Sequence, residues 1–315
     1  MATSFSPSNS VTTTTAANFI PEIWSDEIVA AYKKNLVLAN LVMKMNFKGK
    51  KGDTVHIPAP TRGSASAKAS EAAVTLIAAT ESEVQVSINK HYEYSRLIED
   101  IVEAQALNSL RNFYTSDAGY ALARQVDTDL VQLARSANGG GGTAAYNTAY
   151  VGGDGTTAYV AASNNESALT DAAIRRTIQR LDDNDTPMDN RFFLIPPSSR
   201  NTLMGLARYT EQAFVGNGDA IRTGEIGNLY GIPVFVSSNC DTTSGSNAAR
   251  VAIMGHRDAM VLVEQVAVRS QVQYKQEYLA TLFTSDTLYG VAALRSAASV
   301  GAAKSSSFFA LAVPA

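Results

Sequence analysis

Apolar residues along this chain change their spacing several times, and each change marks an element. In "SDEIVAAYKKNLVLANLV", Ile28, Ala31, Tyr32, Leu36 and Ala39 recur every three or four residues behind Ser25. That spacing predicts a helix with Ser25 as its N-cap. Trp24, the only tryptophan, stands just ahead of it, where it can anchor an arm. "GDTVHIPAP" then alternates. Val55 and Ile57 take one side and Thr54 and His56 the other, a half-buried strand that Pro58 and Pro60 should end. "EVQVSINK" alternates again through Val84, Val86 and Ile88. The residues between the two runs are mostly small and polar, so the pair predicts a long two-stranded hairpin arm. Such a ribbon is marginal alone. Its apolar side needs cover, from the same fold or from another chain.

The period then lengthens. Leu107, Leu110, Tyr114, Ala118, Leu122, Val126, Leu130, Leu133 and Ala137 form one continuous stripe. The helix they predict spans about 45 Å, and Asn138 with the run Gly139–Gly142 should stop it. Residues 139–165 read as a surface loop with some strand. A further helix should start near Thr170, and "RFFLIPP" reads as a short buried strand. Ser198 or Ser199 should cap the next helix, running through Leu203, Leu206 and Tyr209. In "GNLYGIPVFVSS", Gly231 can take a positive φ while Pro233 pushes Ile232 toward an extended conformation. The stretch reads as a hinge that launches a strand. "ARVAIMG", "AMVLVEQVAVRSQVQYKQEY" and "LYGVAALRSAASVG" predict three more strands. Helices and strands mix without a βαβ period, so the fold class is α+β.

Composition narrows the picture. The 315 residues suit two domains, and 45% of them are hydrophobic. A net charge of −3 sets up no basic field that would grip nucleic acid across the surface. Residues 1–18 are almost all small and polar, so they order only against another chain or not at all. Neither a secretory signal nor a membrane span is expected. A single cysteine, Cys240, excludes an intrachain disulfide and a multi-cysteine metal site, which suits a reducing cytoplasm.

Candidate chemistry is thin. Gly139–Gly142 lacks the Lys and Ser/Thr of a phosphate loop and closes a helix instead of opening one. His256, Arg257 and Asp258 match a kinase tripeptide, but Ala259, Met260 and Val261 come next without the metal-binding Asn; a polar turn between strands is the better reading. Folding could assemble a nucleophile trio such as Cys240 with His256 and Asp258, but nothing local supports it. Asp182, Asp183 and Asp185 lack a calcium-loop frame and read as a solvated helix end. Lys44, Lys48, Lys50 and Lys51 make a modest basic patch, equally suited to phosphate, a neighbour's carboxylates or solvent. No catalytic, cofactor or metal site is expected. Arm, hairpin and long helix all offer surfaces that need partners.

The order of these parts resembles the major capsid proteins of tailed double-stranded-DNA bacteriophages, the Hong Kong 97-type fold. "FIPEIWSDEIVAAYKKNLVLANLV" is similar to their N-terminal arm, "GDTVHIPAP…EVQVSINKHYEYSRLIED" to their extended loop, and "SLRNFYTSDAGYALARQVDTDLVQLA" to their spine helix. "RFFLIPPSSRNTLM" and "GNLYGIPVFVSSN" are similar to their axial domain, and "DTLYGVAALRSAASVG" to the strand returning to the peripheral domain. The resemblance implies an arm over 1–45, an extended hairpin loop over 46–92, a peripheral domain of 93–167 and 261–315, and an axial domain of 168–260. It also implies hexamers and pentamers in an icosahedral shell around packaged DNA, with portal, cement and separate scaffolding proteins as partners and no membrane. Trp24, Val55, Ile57, Val84, Val86 and Ile88 are the expected inter-subunit contacts. A nanocompartment shell of the encapsulin kind and a soluble α/β enzyme built on residues 190–265 stay open as alternatives.

Overall fold

A computed structural model of the chain describes residues 37–48, 51–60, 65–71, 73, 74, 76, 81–105, 110–136, 150–155, 166–206, 227–240, 249–295 and 307–314. Trp24, Ser25 and most of the helix expected behind them lie outside those residues. The first described elements are a single helical turn, α1 (Leu38–Leu41), and strand β1 (Met43–Asn46).

The hairpin comes next as β2 (Thr54–Pro60) and β3 (Glu81–Ser87). Beyond it are β4 (Lys90–Glu99), a short α2 (Asp100–Gln105) and the long α3 (Leu110–Ser136). At 27 residues α3 is about 40 Å long. Ala118, Leu122 and Leu130 are buried along it, as the spacing predicts; near its end Ala134 is buried in place of Leu133, which is half-buried. Leu107, Ala137 and the glycine run fall outside the described residues.

The remaining elements are β5 (Tyr150–Gly152), α4 (Asp171–Asp183), β6 (Arg191–Ile195), α5 (Pro197–Met204), β7 (Asn228–Leu229), β8 (Ile232–Val236), β9 (Ala249–His256), β10 (Met260–Lys275), β11 (Ala280–Ala293) and β12 (Phe308–Pro314). They build two sheets. One has the order β5-β12-β9-β6-β8-β7 and the other β1-β10-β11-β4.

The six-stranded sheet is covered on both faces. Phe192 and Leu194 point into a core shared with α1 and α3, while Phe193 and Ile195 point into one shared with α4. A strand buried on both sides needs no alternation, which explains the unbroken apolar run in "RFFLI". The C-terminal strand does not follow chain order. Sequence order puts 261–315 in the peripheral part, yet β12 lies inside this sheet between β5 and β9. Its alternating faces, Phe308 toward one core and Phe309 toward the other, make it a central strand.

Helix α4 begins as expected, with Thr170 Oγ1 accepting a hydrogen bond from Ala173 N at 3.2 Å. Helix α5 does not. Its N-cap is Pro196, so Ser198 and Ser199 lie within the first turn. Pro197 has φ fixed for a helix and no N–H to leave unpaired, so the helix starts two or three residues early. Ser198 Oγ instead donates to the Pro314 carbonyl at 2.9 Å and ties α5 to β12. The helix stops at Met204, which leaves half-buried Leu206 beyond it; Tyr209 lies outside the described residues.

Between β7 and β8 the chain reverses in two residues, Tyr230 (φ 52°) and Gly231 (φ 81°). Positive φ at both positions is the hairpin turn whose twist matches its strands. Gly231 behaves as the sequence predicts; nothing in the sequence predicts that Tyr230 shares the conformation.

Candidate assembly surface

The hairpin pairs Thr54 with Ser87 through to Pro60 with Glu81. Pro58 therefore lies within β2, and the strand ends at Pro60. In a two-stranded ribbon each strand has a free outer edge, so a missing N–H can be tolerated there. At its base the ribbon is rooted in its own subunit. Val55, Val86 and Ile88 are buried beside Val261 and Val263 of β10, with Met43 and Leu288 packed around them. Val86 is 0% exposed, so its side chain has no surface left for a neighbour. Ile57 and Val84 keep partial exposure one step further out, and Trp24 lies outside the described residues.

Two features fix the root. Ile88 N donates to the Asp53 carbonyl at 2.7 Å and closes the base of the ribbon. Gly290 of β11 runs directly beneath it: a Cβ there would stand 2.4 Å from the Ser87 carbonyl oxygen. Only glycine allows the hairpin to cross β11 that closely. Beyond the root the ribbon is open. Residues 65–71 are exposed, and Val74 and Leu76 near its tip are 68% and 89% exposed.

Charged groups decorate both surfaces. On the hairpin, Glu83 accepts from Gln85 Nε2 at 2.6 Å and meets His56 Nδ1 at 3.0 Å. The Gln85 hydrogen bond, then that of His56, holds its carboxyl below the ordinary value. On the four-stranded sheet, Asp286 accepts two hydrogen bonds from Arg269 and lies 3.1 Å from His91 Nε2. The Arg269 hydrogen bonds are the main reason its carboxyl is pulled down to about 2.

The long helix carries a second kind of buried polar group. Asp127 accepts from Ala39 N at 3.2 Å and from Asn239 Nδ2 at 3.3 Å, so one carboxyl joins α1, α3 and the turn after β8. Burial pushes its pKa up against those hydrogen bonds. Asp129, two residues along the same helix, accepts from Tyr289 Oη at 2.7 Å and pairs with Lys90 at 3.1 Å. Sequence reasoning singles out neither, though acids beside Val126 and Leu130 interrupt the apolar stripe and mark the place.

The other sequence candidates resolve as structure. Arg257–Ala259 is a 3₁₀ turn between β9 and β10, with His256 Nδ1 accepting from Asp258 N. Cys240 is buried, and its thiol donates to the Ser237 carbonyl at 3.2 Å. Asp182 at the end of α4 pairs with Arg191 at 2.7 Å. Lys44 donates to Asn40 Oδ1, Lys48 and Lys51 are exposed, and Lys50 is outside the described residues. Among the described residues no group of three or more His, Cys, Asp or Glu side chains is placed to hold a metal, and no helix is long and apolar enough to cross a membrane.

This arrangement of hairpin, long helix and two sheets recurs in solved structures. One from Mycobacterium phage Che8 is 21% identical with a TM-score of 0.72, covering 93% of this chain and 97% of that one. The capsid structure of cyanophage P-SCSP1u is 19% identical with a TM-score of 0.72 and 98% coverage of both chains. The mature capsid of bacteriophage PhiM1 is 13% identical with a TM-score of 0.69, covering 98% of this chain and 99% of that one. These likenesses show a shared α+β fold of the Hong Kong 97 type. None of the curated proteins matches the chain. The sequence model of the phage capsid family matches residues 16–300, nearly the whole chain. The chain belongs to the phage capsid family.

Proposed function

We propose that copies of this chain gather into pentamers and hexamers that tile an icosahedral phage head around packaged double-stranded DNA. The chain is a structural shell protein of a phage head, by family and by fold. Catalysis has no part in this reading. Assembly takes place in the cytoplasm of the bacterial host, with a separate scaffolding protein, a portal and a cement protein as partners.

The distal hairpin is the observation that carries the assembly reading. It is rooted firmly at Gly290, yet its described outer residues 65–71 are exposed, as are Val74 and Leu76. A neighbour's surface is the natural cover, and a subunit repeated many times needs head-to-tail contacts that close into rings. Each contact can be modest because many act together. The near-neutral charge suits a container, since a strongly basic lining would hold DNA too firmly to release.

Negative-stain microscopy of the purified protein tests the reading, with uniform closed particles expected. Excising residues 61–79 should abolish particles and leave soluble protein; particles of normal size would refute the bridging role of the hairpin. The nanocompartment alternative is less supported, because the similar structures described above are from phages. Particles that capture a cargo peptide and never DNA would revive it.

A further inference from the structure

The outer edge of β10 has no role in the assembly contacts already described. β1 pairs with that edge only from Val261 to Glu264. From there to Lys275 no described strand covers it, while β11 pairs along the opposite edge. A long strand edge with free N–H and C=O groups is a template for another strand. Proteins usually blunt such edges with charges or proline. Between Val266 and Tyr274 the only charge is Arg269, and Asp286 already holds it. The edge instead presents Val268, Val272 and Tyr274, which are 52%, 45% and 48% exposed. Eight of the thirteen exposed large hydrophobic residues among the described ones lie on this end of the sheet and α2. Such a concentration marks an interaction surface, where scattered ones would need no explanation.

We propose that the free edge of β10 pairs antiparallel with the same edge of a second copy, merging two four-stranded sheets into one. The proposal rests on the shell-subunit reading. The residues on the edge identify the occupant. Self-pairing centred near Gln271 sets Val268 opposite Tyr274 and Ser270 opposite Val272, so apolar side chains meet on one face. It sets Arg269 opposite neutral Gln273, so no like charges are directly opposed. The hairpin of a neighbour is the competing occupant and fits less well. Pro58 and Pro60 cannot donate to a new ladder, and the outer part of β3 offers Glu81, Ser82 and Glu83 instead of apolar side chains.

Symmetry then locates the contact. A patch that pairs with itself is related to its partner by a twofold axis. Adjacent members of a five- or six-membered ring are related by the rotation of the ring, so this pairing cannot join them. It joins subunits of neighbouring rings.

Cysteine crosslinking tests the idea in the full chain, whose one natural cysteine is buried. Directly opposed antiparallel residues have Cα atoms about 4.5–5.5 Å apart, within disulfide reach. Oxidised particles of Gln271→Cys, and oxidised mixed particles of Ser270→Cys with Val272→Cys chains, should therefore yield covalent chain dimers, and isolated rings should not. Gln271→Lys, which faces its own copy across the pair and so opposes two like charges, should lower particle yield by about tenfold or more while leaving the rings and the circular dichroism of the chain unchanged. Particles in which neither Gln271→Cys nor the Ser270→Cys/Val272→Cys mixture dimerises would overturn the proposal. So would a crosslink of Gln271→Cys to Glu83→Cys in place of dimers, which would give the edge to the hairpin. A wild-type chain that forms neither rings nor particles sinks the shell-subunit reading; the edge pairing then stands or falls on dimers of Gln271→Cys from the soluble chain.

Discussion

Arg269 grips Asp286 through two parallel hydrogen bonds, from Nε at 2.7 Å and from a terminal nitrogen at 2.8 Å. The pair ties β10 to β11 at a directly opposed position, just beyond the two irregularities in their ladder. With the Asp286 carboxyl lowered to about 2 in the folded chain, against about 3.9 unfolded, its pH effect has a definite sign. The stabilisation is complete above about pH 4 and is lost as pH falls through about 2. Arg269 is more than half exposed, so solvent screens the pair and the effect is modest. Asp286→Asn should melt below the wild type by a constant margin from about pH 5 to 7, and the margin should close between about pH 4 and 2. A margin that stays flat across that acid range would show that the pair adds nothing.

Two glycines should respond oppositely to alanine. At Gly290 the new methyl would meet the backbone of Ser87 at 2.4 Å and that of Ile88 at 3.1 Å, and backbone cannot swing aside. Gly290→Ala should cost about 1–3 kcal/mol, the usual range for overpacking, and should loosen the hairpin root. Gly119, in the interior of α3, has nothing within 4 Å of the same methyl. Gly119→Ala should stabilise by about 1 kcal/mol through helix propensity alone. Urea titrations of both variants measure the two signs, and hydrogen exchange at Ile88 N, which is bonded to Asp53, reports the root.

The contrast between these glycines shows what the sequence can reveal. Gly119 is legible, because a break in a helical stripe is a local fact. Gly290 is not, because its reason lies two hundred residues away, in a strand that crosses over it. The half-buried strands and the long helix are readable from Val55 and Leu122, since their spacing carries the periods of strand and helix, and β6 from the short apolar run around Phe193 that Pro196 and Pro197 close. The place of β12 is hidden. "FFALAVP" is apolar throughout, and a run without alternation does not say which sheet it enters. The hairpin is legible as an object, but its base is easily assigned to a neighbour, because an amphipathic ribbon does not reveal whose surface covers it. The structure divides the ribbon, giving Val86 to its own subunit and leaving Val74 and Leu76 exposed.

Asp129 and Tyr289 should be separable by mutation. The Tyr289 hydroxyl donates to Asp129 at 2.7 Å, and burial together with that hydrogen bond holds the phenol protonated far above its ordinary range. Tyr289→Phe removes one of three partners, because Gln125 and Lys90 still reach the carboxylate at 3.1 Å. Its cost should be about 1 kcal/mol. Asp129→Ala leaves the hydroxyl and the ammonium without their shared acceptor and should cost about 3 kcal/mol. In chemical denaturation the double variant should then lose less than the sum of the two, and strict additivity would argue that the groups do not interact.

The turn at Tyr230 and Gly231 offers the cleanest test of backbone conformation. Gly231 has φ 81° and open space where a Cβ would project, so Gly231→Ala is penalised by conformation alone. The left-handed region costs an L-residue about 1–2 kcal/mol. Tyr230 already bears such a cost at φ 52°, offset in part by the hydrogen bond from its hydroxyl to Asp171 Oδ1 at the start of α4. Asn-Gly is the preferred pair for a two-residue turn with both φ positive. Tyr230→Asn should therefore relieve the backbone while losing a half-exposed hydrogen bond, for a net change within about 1 kcal/mol. Tyr230→Phe keeps the strain and loses the bond, so it should be the less stable of the two. Thermal melts that ranked Tyr230→Phe above Tyr230→Asn would show that the ring, rather than the turn, holds β7 and β8 together.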